Sequence, residues 1–324
     1  MNKYLRPEKR SRTLRRILVA FVILFVISLV LGSTASTIGA VSEIGTGRQI
    51  LTTGTELSVI PKSVIEDAHK YSATLLGEHD PGFLNELLAL FTQTRDKDLV
   101  ILFNPGGWGD STIEQAYGWQ SIIKGIQSEL NTCQVDSPVL TYQRTVDSIQ
   151  GHLGELIEMA RGYPGKARDL ACRIQFLTSL NPDLKVVIAA ESMGSLISEK
   201  AMGILSPNSQ VFSIQTGTPP VHPSISTEQT LVINNNGVVP DAFSQGNVLT
   251  IIRANLVRMF NLSQPESGQG KILKNIYAPG HDYSWIYNAV SSQITQFLNE
   301  TIGIGESVPS NSGFTIEDQR ICQE

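Results

Sequence analysis

Cysteine is scarce in this chain of 324 residues: Cys133, Cys172 and Cys322 are the whole set. At most one intramolecular disulfide can form, so a fold held by several crosslinks is excluded. Of the three pairings, Cys133 with Cys172 is expected, because Cys322 sits in a polar tail. Histidine is nearly as sparse, and no Cys/His spacing resembles a zinc site. No internal repeat is present, which argues against a solenoid or propeller. Basic charge is also missing from most of the chain. Residues 1–16 carry seven Lys or Arg and one acid, a net of +6 against −5 for the whole, so the remainder holds −11. An acidic body has no electrostatic footprint for nucleic acid. With 41% hydrophobic and 17% charged residues, there is apolar mass for one large core.

The basic residues gather at the start, from Lys3 to Arg16, directly before an apolar run of 15 residues from Ile17 to Leu31 broken only by Ser28. A basic segment followed by an apolar one is an export or insertion signal whose basic end stays in the cytoplasm. The run is shorter than the ~20 residues of a comfortable bilayer span. Ser33-Thr34-Ala35 also offers small residues for cleavage. The expectation is a membrane-anchored protein with an extracytoplasmic domain, or a secreted one if the segment is cleaved. The organisation read from the chain is a basic segment at 1–16, a transmembrane or signal helix at 17–32 and a linker at 33–48. A single domain follows at 49–302, then a polar tail at 303–324.

Within that domain, Lys185 to Lys200 reads KVVIAAESMGSLISEK. Val186 to Ala189 is a continuous apolar run of the kind that forms a strand buried on both faces. Leu196, Ile197, Ala201 and Ile204 then recur at helical spacing. A strand, a tight turn with Ser192 at its apex and a helix form a nucleophile elbow, here in the variant A-x-S-x-G with Ala190 and Gly194 as the small flanking residues. The Met193 backbone N–H at the start of that helix can donate to a developing oxyanion. An ordinary strand-to-helix connection that happens to contain Ser is the competing reading.

Other segments supply the frame. Asp98 to Phe103 predicts a second buried strand, running into Asn104-Pro105-Gly106-Gly107-Trp108-Gly109, where three glycines allow backbone N–H groups to share one space. A helix is expected from Thr112 to Leu130. Further strands are expected at Pro138–Tyr142, Gln210–Ile214, Thr230–Asn234 and Asn275–Ala278, with short edge strands between Ile50 and Ile60. Pro61 to Leu88 reads as helical with breaks at Gly77 and Pro81-Gly82. Two more helices are split by Gly162-Tyr163-Pro164-Gly165, and an amphipathic helix closes the domain from Trp285 to Ile302. Strands alternating with helices predict an α/β fold with a mainly parallel sheet and helices on both faces. Residues 247–270 depart from the alternation. Val248, Ile251, Ile252, Leu256, Met259 and Phe260 recur at helical spacing, either as a core-packed helix or as a lid over a site.

A serine at such a turn needs a base. His69 lies upstream of the glycine loop, His152 begins a helix and His222 sits between prolines. His281 follows the last strand in Ala278-Pro279-Gly280-His281-Asp282, at the same sheet edge as Ser192. Its imidazole needs a carboxylate on the other nitrogen to fix the tautomer. Asp241 is the only carboxylate in the loop Asn234-Asn235-Asn236-Gly237-Val238-Val239-Pro240-Asp241 and the natural candidate, and Asp282 is a poor substitute, since side chains adjacent in sequence diverge.

The order of glycine-rich loop, serine elbow, Asp and His resembles the α/β-hydrolase family over about Leu99 to Ile302. Residues 104–109 look like its oxyanion loop, with Gly106 where His often stands. The resemblance implies Ser192 as nucleophile, His281 as base, and N–H groups of Met193 and of Gly107 or Trp108 as oxyanion donors. In the family the acid commonly precedes a Val-Val-Pro-like stretch, a register held here by Asn236, with Asp241 after it. The implied activity is cleavage of a small-molecule or lipid ester by a Ser-His-Asp triad, with no metal or organic cofactor. If Asn236 occupies the acid position, a non-catalytic hydrolase-like binding domain at the cell surface is the alternative.

Overall fold

Apolar runs flanked by turn residues become strands. The computed structural model describes residues 60–76, 81–145, 148–206, 208–220, 226–259, 269–273 and 276–301. The basic and apolar N-terminal segments, the linker, most of the edge-strand region 50–60, His79, His222, Cys322 and the polar tail lie outside the described residues. Among the described residues no helix is long and apolar enough to cross a membrane.

Five strands form one parallel sheet: β1 Leu99–Asn104, β2 Val139–Thr141, β3 Lys185–Glu191, β4 Val211–Thr216 and β5 Thr230–Ile233, in the order β2-β1-β3-β4-β5. Side chains of successive strand residues point to opposite faces, and both faces are covered. Val100, Leu102, Val186 and Ile188 pack on one side, against helices α1 Lys62–Leu76, α2 Pro81–Thr94, α5 Pro164–Leu180 and α6 Met193–Leu205. Leu99, Ile101, Phe103, Val187, Ala189 and Ile214 pack on the other, against α3 Tyr117–Thr132 and α8 Asn288–Thr301. That double burial explains why β1 and the interior of β3 are continuously apolar rather than alternating.

Helix boundaries follow local chemistry. Ser148 accepts from the Gly151 N–H to cap α4 Ile149–Arg161, and left-handed Gly162 ends it. Pro164 then opens α5, as expected from the Gly-Tyr-Pro-Gly break. Helix α3 begins at Tyr117 rather than Thr112, because the Gln115 and Ala116 N–H groups close turns onto Thr112 and Ile113 first.

Two expectations are corrected. The expected Cys133–Cys172 disulfide does not form: both thiols are free. Cys172 packs with the core on one face of the sheet and Cys133 with the core on the other, so the sheet itself separates them. The last strand, β7 Ile276–Pro279, does not join the parallel sheet but pairs antiparallel with β6 Gln269–Leu273, a strand that starts at the end of the segment read as helix or lid and was not expected. The helical part of that segment is α7 Val248–Met259. It buries Ile251, and its Asn255 side chain both donates to the Tyr277 carbonyl and accepts the Tyr277 N–H. Helix α7 is thereby docked on β7 while Leu249 and Leu256 stay exposed.

The chain leaves neighbouring strands β1 and β3 toward opposite faces, through α3 on one side and α6 on the other. A crevice opens at the carboxyl ends of such strands, where α/β sheets bind ligands.

Candidate active site

Both motifs lie at that edge. Ser192 has φ 52° and ψ −118°, a conformation that costs a non-glycine residue on the order of 1–3 kcal/mol. It is held from several directions. Its N–H donates to the Thr216 carbonyl at 2.8 Å, tying the turn to the end of β4. The Ser195 hydroxyl donates to the carbonyls of Ala190 and Thr216. Gly194 must be glycine: a Cβ there would lie 2.3 Å from the Asn104 carbonyl oxygen and 2.8 Å from that of Pro105. At Gly106 a Cβ would come 3.1 Å from the Ser192 Cβ, so the glycine loop runs directly against the serine.

His281 reaches the same edge from the far end of the domain. A Cβ on Gly217, the residue after β4, would meet its ring at 2.4 Å, which places the imidazole against the strand end that anchors Ser192. Its Nδ1 lies 2.8 Å from Asp241 Oδ2, and both side chains are buried. The carboxylate collects four further bonds: from the Tyr283 hydroxyl at 2.7 Å, the Ser244 hydroxyl at 2.8 Å and the N–H groups of Phe243 and Ser244. Burial pushes the Asp241 pKa up, but the facing His281 and the donated hydrogen bonds outweigh it and hold the carboxyl below its ordinary value. An ionised Asp241 requires a proton on His281 Nδ1, leaving Nε2 as the acceptor. Two buried polar atoms lack a partner in this site, Ser192 Oγ and His281 Nε2. They are the pair a proton transfer would join, and such contacts often tighten only with substrate bound.

Asn236 is not at the imidazole. Its side-chain oxygen accepts the N–H groups of Val238 and Val239, and its amide donates to the carbonyls of Gly280 and Asp282. It holds the His281 loop in place, while Asp241 faces the ring. Asp282 points away and accepts from the Tyr287 hydroxyl.

Met193 begins α6 directly after the serine, as expected. In the glycine loop, the Gly106 N–H donates to Glu191 Oε2 at 3.4 Å, on the elbow side, and sequence reasoning did not single it out. The Gly107 carbonyl is bound on the opposite side by Arg144, which turns the Trp108 N–H of the same trans peptide away from Arg144. Trp108 also stacks on His152 with ring centroids 4.9 Å apart, and His152 Nε2 lies 3.4 Å from Asp110 Oδ2.

Glu191, the variable residue of the elbow, is raised above the ordinary carboxyl range by desolvation, with His281 partly offsetting it. Its position beside Ser192 was the available signal. Tyr283, Ser244 and Arg144 carry no comparable signature. Among the described residues no three His, Cys, Asp or Glu side chains gather as a metal would need.

A parallel sheet sandwiched by helices, with an elbow serine at its switch point, defines an α/β-hydrolase-like fold. The sequence matches no protein-family model and no curated relative. Among the solved structures similar in part are two hydrolases. The first is Trichoderma reesei cutinase in complex with a C11Y4 phosphonate inhibitor, at 18% identity over 58% of this chain and 82% of that one, with a TM-score of 0.32. The second is phospholipase PlaB from Legionella pneumophila, at 15% identity over 62% of this chain and 35% of that one, with a TM-score of 0.27.

Proposed function

We propose that this chain is a serine hydrolase that cleaves carboxylic esters through Ser192, His281 and Asp241. The observation that carries the reading is the buried Asp241–His281 contact at the sheet edge where Ser192 sits in a strained turn. His281 Nε2 takes the Ser192 proton as Oγ attacks the ester carbonyl. The oxyanion is met by the Met193 N–H and by the Trp108 N–H of the glycine loop, beside the Gly106 N–H that donates to Glu191. His281 returns the proton to the leaving alkoxide, and an acyl-enzyme remains on Ser192. A water deprotonated by His281 attacks that acyl group and releases the acid. The substrate is a small-molecule or lipid ester.

The basic and apolar N-terminal segments support an exported, membrane-tethered protein, which N-terminal sequencing of the exported form tests against cleavage. Asn236, the motive for a non-catalytic binding domain, has its amide donors spent on the His281 loop and its side-chain oxygen on its own turn at Val238 and Val239. The deciding experiment treats the full-length protein and Ser192→Ala with a fluorophosphonate probe and with p-nitrophenyl esters of several chain lengths. Labelling and turnover that vanish with Ser192 are expected. A folded wild type that neither labels nor turns over ester refutes the enzyme and leaves a binding domain.

A further inference from the structure

We propose that Arg144, held by Glu155, is the positioning residue that sets the oxyanion-binding face of the glycine loop, an inference that rests on the serine hydrolase reading. Arg144 follows β2 and crosses beneath residues 104–109. Its Nε donates to Glu155 Oε1 at 2.7 Å, and both side chains are almost wholly buried. One terminal nitrogen donates to Asn104 Oδ1 at 3.1 Å and to the Pro105 carbonyl; the other donates to the Gly107 carbonyl at 2.9 Å. The Arg144 backbone N–H donates to the Gly109 carbonyl at 3.1 Å. Glu155 is itself steadied by the Thr145 hydroxyl at 2.9 Å.

The pattern has a direction. Carbonyls of Pro105, Gly107 and Gly109, every second residue of the loop, turn toward Arg144. In a trans peptide the N–H points opposite to the carbonyl of the same unit. Binding Pro105 and Gly107 from below therefore aims the N–H groups of Gly106 and Trp108 the other way. For Gly106 the outcome is visible, because its N–H faces Glu191 next to the serine. The loop's composition fits: a Cβ on Gly109 would lie 2.3 Å from Arg144 Cγ and 2.5 Å from its guanidinium carbon, so glycine lets the side chain pass.

Stability alone does not account for the pair. A buried ion pair is often matched or bettered by apolar residues of similar volume, whereas a planar fork of fixed donors is well suited to orienting several acceptors at once. Asn104 extends the same network to the nucleophile, since its amide donates to the Gly194 carbonyl and the Ser198 hydroxyl in the first turns of α6. Arg144 therefore touches the strand end, the oxyanion loop and, through Asn104, the elbow helix.

The test uses full-length protein carrying Arg144→Lys, Arg144→Met, or the double change Arg144→Met with Glu155→Leu, which leaves no unpaired buried charge. Loss of one oxyanion donor costs roughly 10²–10³ in turnover. The double variant is expected to fold cooperatively with a lowered thermal midpoint, because Asn104 and the Pro105 and Gly107 carbonyls lose their donor, and to keep the same fraction of molecules finally labelled by a fluorophosphonate. Its kcat on p-nitrophenyl butyrate should fall at least about 10²-fold with KM changed only a few-fold, and affinity for a trifluoromethyl ketone should fall in parallel. Arg144→Lys, with one point charge in place of the fork, should remain well below wild type. A folded double variant with near wild-type kcat overturns the positioning role while leaving the hydrolase intact. A loss confined to the labelled fraction, with normal rate per labelled site, overturns it as well. An inert wild type overturns the hydrolase reading and this one with it.

Discussion

Replacing Asp241 by Asn is the change whose consequence the structure dictates most closely. Five donors converge on the carboxylate: His281 Nδ1, the hydroxyls of Tyr283 and Ser244, and the N–H groups of Phe243 and Ser244. The two backbone N–H groups both address Oδ1 and can only donate, so the carboxamide oxygen of an Asn must stay with them. Its NH₂ then replaces Oδ2, facing His281 and the two hydroxyls. Hydroxyls rotate and can accept. The imidazole can accept at Nδ1 only by moving its proton to Nε2, the atom that receives the Ser192 proton in the proposed mechanism. The variant therefore selects the wrong tautomer at a site with little other change in shape. Such a change costs ~10⁴ in turnover, about 5.5 kcal/mol of barrier. Steady-state hydrolysis of a p-nitrophenyl ester near pH 7.5, with fluorophosphonate titration of active sites, separates this from misfolding. All sites should label, but slowly. If Asp241→Asn keeps more than a tenth of wild-type kcat, the carboxylate does not set the tautomer and the triad assignment fails.

Two further substitutions test the site's construction. Gly194→Ala places a methyl 2.3 Å from the Asn104 carbonyl oxygen. Ala for Gly inside a helix ordinarily gains up to about 1 kcal/mol, but overpacking against backbone costs about 1–3 kcal/mol and should win. A lower thermal midpoint together with lost esterase activity is expected, and an unchanged or higher midpoint contradicts the close approach. Glu191→Gln tests the desolvated carboxyl beside the serine. Because the folded-state pKa lies above the unfolded one, the native state keeps its proton longer, and stability drains away as pH rises from the unfolded value near ~4.3 through the folded value. Urea melts should show Glu191→Gln more stable than wild type at pH 8, with the gap closing below about pH 4. A gap that widens on acidification reverses the sign and removes the argument.

What was legible in the chain is what is local in it. The elbow, the glycine loop and Gly280-His281 each announce themselves within six residues, because a strained turn or a close backbone approach restricts neighbouring positions at once. The parallel sheet was legible for the same reason: strands buried on both faces read as unbroken apolar runs, as in Val186 to Ala189. The fate of β7 was not, since four residues with Ile276 and Ala278 buried suit a sheet edge or a separate hairpin equally, and only the partner strand decides. Choosing between Asn236 and Asp241 likewise depends on which of two polar side chains turns inward after β5. That is decided by Phe243, Ser244 and Tyr283, which collect around Asp241, and by the Gly280 and Asp282 carbonyls, which occupy Asn236. Arg144 is the extreme case. It lies about 40 residues from the loop it binds, after a three-residue strand, and nothing about a lone Arg there distinguishes a solvated side chain from a buried fork. Its meaning exists only once β1 and β2 are paired in register, Phe103 opposite Thr141, which brings the residues following both strands to one edge. Residues that react are constrained by their own turns and can be found by motif, whereas residues that aim them are constrained by the assembled sheet and have to be found in the fold.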